Sequence, residues 1–176
     1  MGGALLEHWM SGGEEFTIVD PMLETAPEGV RLVRDRSEIA EERFDTIIVA
    51  IKPQMIDDVL PDYAANLAEG GYVLSIAAGA SAARLAKAMD GAPVVRVMPN
   101  LPAAVGKGTS GVLAGPDVSD AQADHAMEMM RRTGNRPQLC RGCGKARLRS
   151  RSGSRARAGD DGRHDRHGAR QSGHPP

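Results

Sequence analysis

Aromatic side chains are almost missing from this chain of 176 residues, which holds one Trp, two Tyr and two Phe. That scarcity argues against an aromatic-rich binding platform and leaves Ala, Val, Leu, Ile and Met to build the core. Cysteine is as sparse: Cys140 and Cys143 are the two present, too few and too close together for the disulfide framework of a secreted domain. No stretch approaches the roughly 20 consecutive apolar residues of a membrane helix. Met1 is followed by Gly2-Gly3-Ala4 rather than by the basic segment of a secretory leader. The expectation is a cytoplasmic protein in a reducing compartment, and at this length one domain is the default.

What the chain does carry is unevenly spread. Residues 1–135 hold 11 Lys and Arg against 20 Asp and Glu, whereas residues 136–176 hold 11 against three. The second stretch contains Leu139 and Leu148 but no Val, Ile, Met or aromatic residue. It buries too little apolar surface to offset the entropy of ordering it, so disorder is expected there. Its basic character suits phosphate contacts, yet without aromatic residues for base stacking it does not point to nucleic acid. Cys140 and Cys143 with His164 and His167 have intervals outside the usual zinc-finger ranges, so no metal is expected. His8 and His125 fall on predicted helices and read as surface or half-buried residues.

Within residues 1–135 the pattern alternates. Ala4, Leu5, Leu6, Trp9 and Met10 have amphipathic spacing and predict a helix at the front, stopped by Ser11-Gly12-Gly13. Short β-rich runs follow at Phe16–Val19 and Val30–Val33. Thr46–Ile51 is a continuous apolar run, the signature of a parallel strand covered on both faces. A helical segment is predicted over Met55–Leu67, a strand at Tyr72–Ile76, and a helix over Ala82–Met89 capped by Ser81. Strands at Val94–Met98 and Gly111–Ala114 and a helix from Ser119 to Arg132 complete the set. Strands alternating with helices imply βαβ units, hence an α/β fold with a doubly wound, Rossmann-type parallel sheet.

Such sheets bind ligands beyond the carboxyl ends of their strands. The segments expected there are Asp20-Pro21, Ala50 to Gln54, Ala77 to Ser81 and Met98 to Pro102. Gly2 or Gly3 can be the last glycine of a dinucleotide-binding loop, and Asp20 lies where an acidic residue meets the adenosine ribose; both also suit ordinary turn chemistry. Ala50-Ile51-Lys52-Pro53 sets a rigid turn and a cation at a strand end. Met98-Pro99-Asn100-Leu101-Pro102 brackets an asparagine amide between two prolines.

Four runs, Met1-Gly2-Gly3-Ala4, Ala50-Ile51-Lys52-Pro53, Ser75-Ile76-Ala77-Ala78-Gly79 and Arg96-Val97-Met98-Pro99-Asn100-Leu101-Pro102-Ala103, stand in the order and spacing of one family's motifs. The chain resembles the pyrroline-5-carboxylate reductases across residues 1–135. The resemblance implies a Rossmann-type domain over 1–135, an NADPH or NADH cofactor, and reduction of 1-pyrroline-5-carboxylate to L-proline. It further implies Asp20 as the ribose contact, with Ala50, Ile51, Lys52, Pro53, Ala78, Gly79, Met98, Pro99 and Asn100 forming the nicotinamide-side wall. No side chain here reads as a general acid.

Two departures accompany the resemblance. The family's first strand and first two loop glycines are not seen, and no S-G-S-G-P-A-Y run opens the helical domain through which the family forms homo-oligomers. The Arg/Gly-rich stretch 136–176 has the composition expected of GC-rich coding DNA read in a shifted frame from near Asn135. The expectation is thus a partial copy of doubtful activity. Other readings are a non-catalytic nucleotide-binding remnant and another two-domain nicotinamide-dependent dehydrogenase.

Overall fold

The helix expected at the front forms over Gly2–Trp9 (α1), with Leu5, Leu6 and Trp9 on its buried side. It closes through a 3-10 turn, Met10–Gly12, that ends at Gly13 in the left-handed region, φ 90°, where glycine carries no side-chain penalty. The computed structural model describes residues 1–135 and 137–141 of the chain. These lie in one compact unit, Met1–Lys145.

The strands are Thr17–Val19 (β1), Arg31–Val33 (β2), Phe44–Val49 (β3), Leu67–Ser75 (β4), Val94–Met98 (β5), Gly111–Ala114 (β6) and Gln138–Arg141 (β7). Helices Ile56–Val59 (α2), Ala82–Ala88 (α3) and Asp120–Arg131 (α4) lie between them. β1 and β2 form a parallel pair of their own, and the other strands form one sheet in the order β3-β4-β5-β6-β7. Two apolar clusters cover the larger sheet. Leu5, Leu6 and Trp9 of α1 and Met129 and Met130 of α4 pack with Leu74, Val95 and Val112. Leu85 and Met89 pack with Val49, Val73 and Val94 on the other face. The alternation Val94/Val95 between the two clusters is the period-2 pattern of a strand covered on both sides.

Several expectations change in detail. β3 stops at Val49, so Ala50 and Ile51 belong to the turn. The segment 53–66 is helical but mostly 3-10, with Pro53–Met55 and Leu60–Asn66 flanking the single α turn of α2; Pro53 starts the first piece and Pro61 stands second in the other, within the first turn that proline tolerates. The sheet is not wholly parallel: β6 runs antiparallel to β5. The connection between them, residues 99–110, holds only the 3-10 helix Leu101–Val105, and a parallel return needs a longer crossover, usually an α-helix. β7 pairs parallel with β6 and lies beyond the expected domain boundary at 135. Of the stretch 136–176 expected to be disordered, Gln138–Arg141 form β7, and Arg136 and the residues beyond Arg141 lie outside the described residues.

Contacts at its two ends give the direction of α1. The position of a Cβ on Gly2 lies 3.1 Å from the Ala50 Cβ, at the carboxyl end of β3. Beyond the other end of α1, Glu14 meets Arg132 and His125, and His125 meets Tyr72, which pairs with Thr46 in the amino-side half of β3. α1 therefore runs back from the carboxyl edge of the sheet.

Candidate functional site

Because β3, β4 and β5 are parallel, the turns that follow them all open on one edge. Lys52 is extended (φ −65°, ψ 140°) and leads into Pro53–Met55, with its carbonyl accepting from Met55 N at 2.9 Å. The proline fixes the turn, and the Lys52 side chain is exposed with no carboxylate paired to it among the described residues. After β4, Ala78 and Gly79 are exposed, and Gly79 takes φ 79°. After β5, Asn100 caps the 3-10 helix, and its Oδ1 accepts from Thr109 N at 3.0 Å. That bond uses the acceptor end of the amide and leaves the NH2 donors free at the edge.

α1 points its first turn at the same place. Met1 supplies no side-chain cap, so the first backbone N–H groups of the helix are left for water or a ligand anion. The two glycine candidates separate here. A Cβ on Gly2 would crowd Ala50, whereas one on Gly3 would meet nothing within 4 Å. Gly2 is thus the glycine that permits close packing of helix on strand.

Between these parts lies an open, mainly apolar cavity of about 260 Å³ lined by Met1, Ile76, Ala78, Val97, Met98 and Pro99. Its size suits a single planar ring. Of the residues expected from sequence, it brings together Ala78, Met98 and Pro99; Lys52, Gly79 and Asn100 stand on the same edge without lining it. Met1, Ile76 and Val97 were not anticipated, although the alternation along β5 places Val97 at the strand end. Asp20 sits at the carboxyl end of β1, half-buried, and its Oδ1 accepts from Met22 N (2.8 Å) and Leu23 N (3.1 Å). One carboxylate oxygen is therefore committed to the turn.

Charged groups with unusual environments lie elsewhere. Tyr72 Oη is 2.9 Å from His125 Nδ1, His125 Nε2 is 3.6 Å from Glu14 Oε1, and Glu14 is bonded to Arg132 at 2.7 Å. Burial pushes the Glu14 carboxyl up, but the hydrogen bond and charge of Arg132, aided by a backbone bond and by His125, leave it below its ordinary value. This network sits on the amino-edge side, away from the cavity, and no local pattern announces it. Among the described residues no group of His, Cys, Asp and Glu is placed to hold a metal ion; Cys143, His164 and His167 lie outside them. No helix among them is long and apolar enough to cross a membrane.

A Rossmann-type dinucleotide-binding domain is the class that this sheet and its glycine-led first helix define. Residues 1–79 match the family model described as NADP oxidoreductase coenzyme F420-dependent. A pyrroline-5-carboxylate reductase from Methanosarcina acetivorans is 30% identical over 149 residues, 79% of this chain and 55% of that protein. One from Corynebacterium melassecola is 36% identical over 111 residues, 61% of this chain and 41% of that protein. The solved reductase from Coxiella burnetii superposes with a TM-score of 0.67 at 24% identity, covering 78% of this chain and 54% of its own. That of Plasmodium falciparum, solved with NADP bound, gives 0.66 at 20%, covering 80% and 53%. The chain spans about half the length of these relatives, and over that shared part it is similar to the pyrroline-5-carboxylate reductases, as its four motifs imply.

Proposed function

We propose that the chain provides the dinucleotide-binding part of an enzyme that uses NADPH or NADH to reduce the small-molecule substrate 1-pyrroline-5-carboxylate to L-proline. The observation that carries this reading is the convergence, on one sheet edge, of the uncapped first turn of α1, the Lys52-Pro53 turn, Ala78-Gly79 and Met98-Pro99-Asn100. The fit of a dinucleotide is supported by the close approach of Gly2 to Ala50 and by the apolar ring-sized cavity beside it.

In this proposal the N–H groups at Gly2 and Gly3 face the pyrophosphate, and the Lys52 ammonium attracts the anionic groups. Ala50, Ile51, Pro53, Ala78, Gly79, Met98 and Pro99 wall the nicotinamide, and Asn100 Nδ2 donates to it. Asp20 takes the adenosine ribose through its oxygen not used by the turn. When bound, the reduced nicotinamide supplies the hydride. A cytoplasmic setting and homo-oligomers of the family's kind belong to the same proposal, and neither nucleic acid nor a membrane is part of it.

The test is titration of NADPH and of NADH into the purified chain, followed by thermal shift and by nicotinamide fluorescence. The expected result is saturable binding that weakens about tenfold or more in Lys52→Glu, a change worth roughly 1.4 kcal/mol. Absence of binding by both nucleotides, or equal binding by Lys52→Glu, overturns the assignment.

A further inference from the structure

β5 leaves the sheet at Met98, and the chain returns as β6 with Gly111 opposite Met98. Residues 99–110 therefore form a loop with a narrow neck, closed by the bond from Thr109 N to Asn100 Oδ1. Its two limbs are held by different parts of the molecule. The returning limb is tied to the segment after α4, since Gly108 N donates to Thr133 O at 3.0 Å and Asn135 N donates to Gly108 O at 2.8 Å. The outgoing limb, Pro99–Val105, carries the Pro99-Asn100 end of the proposed nicotinamide wall and packs on α1. Ala103 is wholly buried in the cluster that holds Leu5, Leu6 and Trp9, and His8 Nε2 lies 3.2 Å from Ala104 O.

A carbonyl only accepts, so His8 Nε2 carries the proton and donates. Among the described residues this is the one hydrogen bond between α1 and residues 99–110. The imidazole is confined from the next turn as well: Gly106 ends the 3-10 helix with φ 68°, and a Cβ there would stand 3.3 Å from His8 Cε1. α1 runs back from the carboxyl edge of the sheet, and at about 1.5 Å per residue His8 stands roughly 9 Å along it from Gly2. At about 2.0 Å per residue, Ala104 stands roughly 8 Å from Asn100 along the 3-10 helix. Two rods of nearly equal length thus start at one edge and are braced together at their far ends. One begins with the N–H groups proposed to face the pyrophosphate, and the other follows directly on Met98-Pro99-Asn100.

We propose that His8 is a positioning residue: its bond to Ala104 O sets Met98-Pro99-Asn100 against the first turn of α1, and with them the span between the pyrophosphate and the nicotinamide of a bound dinucleotide. The inference rests on the dinucleotide reading given above and adds to it the side chain that joins the two half-sites. A ligand that ends before the nicotinamide meets one half-site alone and does not sense the brace.

The test compares ligands with and without the ring. NADPH and NADH are titrated beside ADP-ribose 2′-phosphate and ADP-ribose into the parent chain, His8→Leu, His8→Gln and Gly106→Ala. Leu keeps the helix but has no donor, Gln carries an amide Nε2 the same number of bonds from the backbone, and Gly106→Ala keeps His8 while crowding its ring. In His8→Leu and Gly106→Ala the Kd of the reduced nucleotide is expected to rise about fivefold, the worth of one hydrogen bond, while the ligand without the ring stays within about twofold of the parent. His8→Gln is expected to match the parent for both. If one of the two disrupting variants does not fold, the other decides. Parallel weakening of both ligands, an unmoved reduced nucleotide, or no recovery in His8→Gln would each overturn the proposal. A parent chain that binds none of the four ligands removes the dinucleotide reading and this inference with it, whereas parent binding with an unmoved ratio removes this inference alone.

Discussion

Tyr72 carries a hydroxyl into an interior where its side chain is 2% exposed, and that hydroxyl needs a partner. His125 provides it at 2.9 Å, with the rings edge-on at 5.9 Å and 90°. Burial pushes the Tyr72 phenol up to about 12, opposed by a hydrogen bond with Thr46. An unfolded tyrosine titrates near 10. Between those values the folded protein keeps a proton that the unfolded chain has released, so stability is full below about pH 10 and falls as pH rises toward 12. Tyr63, also pushed up by burial, acts in the same direction. Tyr72→Phe is expected to cost about 1 kcal/mol at neutral pH through the lost hydrogen bond and to flatten the alkaline decline; Tm against pH from 8 to 11 checks both, and an unchanged slope would count against the buried phenol. Gly12 makes a second case, because a Cβ there would overlap the Arg132 guanidinium. Ala in place of Gly gains about 0.4–1 kcal/mol from the unfolded chain, but pushing Arg132 away costs its bonds to Glu14 (2.7 and 2.8 Å) and to Trp9 O (3.2 Å). Hydrogen bonds to charged groups contribute about 1.5–3 kcal/mol, so the loss wins. Gly12→Ala should lower Tm by several degrees, and a rise in Tm would show that Arg132 has another equally good position. Neither contact is legible in the sequence, since their partners stand 53 and 118 positions apart.

At the scale of elements, local chemistry explains what could be read in advance. Ser81 Oγ accepts from Arg84 N at 3.1 Å, and Ser119 with Gln122 forms a reciprocal capping box at 3.2 and 2.9 Å, so α3 and α4 begin where a serine predicts. β5 forms over Val94–Met98 as its β-branched run requires. The antiparallel turn into β6 was not legible because it depends on long-range contacts: Gly108 and Gly134 form a parallel bridge, and a Cβ on either would strike backbone or Ala103. The turns at Lys52-Pro53 and Met98–Pro102 were legible because proline sets φ wherever it stands. What proline does not reveal is that Asn100 spends its Oδ1 on Thr109 N, tying the loop back onto the start of β6. Asn100→Asp keeps that acceptor and Asn100→Ala removes it, at a cost of about 0.5–1.5 kcal/mol. Amide exchange at Thr109 should therefore quicken in Asn100→Ala and stay near the parent rate in Asn100→Asp. Equal quickening in both variants would mean that the loop is held by Pro99, Pro102 and the glycine bridge instead.

For the whole molecule, binding a dinucleotide and turning over a substrate are separable demands. The first asks for the sheet edge and the start of α1, which are present. The second asks for the imine carbon and the nicotinamide to be held at about 3–3.5 Å in aligned geometry, and such positioning accounts for roughly 7–11 kcal/mol of a barrier. Around the cavity this chain offers Met1, Ile76, Ala78, Val97, Met98 and Pro99, apolar groups that shape a ring site but carry no charge to hold a substrate carboxylate. Leu101 and Val105, exposed at 80% and 68%, are apolar too and stand in the 3-10 helix that follows β5. The family resemblance implies that the carboxylate is met by an S-G-S-G-P-A-Y run, which residues 1–176 do not contain. Under the same conditions, the purified 176-residue chain is therefore expected to oxidise NADPH in the presence of 1-pyrroline-5-carboxylate at least about a thousandfold more slowly than the full-length Methanosarcina acetivorans relative, a deficit of roughly 4 kcal/mol in the barrier. Absorbance at 340 nm reads both. The nicotinamide titration keeps the result interpretable: binding without turnover supports a cofactor site separated from its substrate wall. Turnover within tenfold of the relative would show that the residues on this one edge position both reactants unaided.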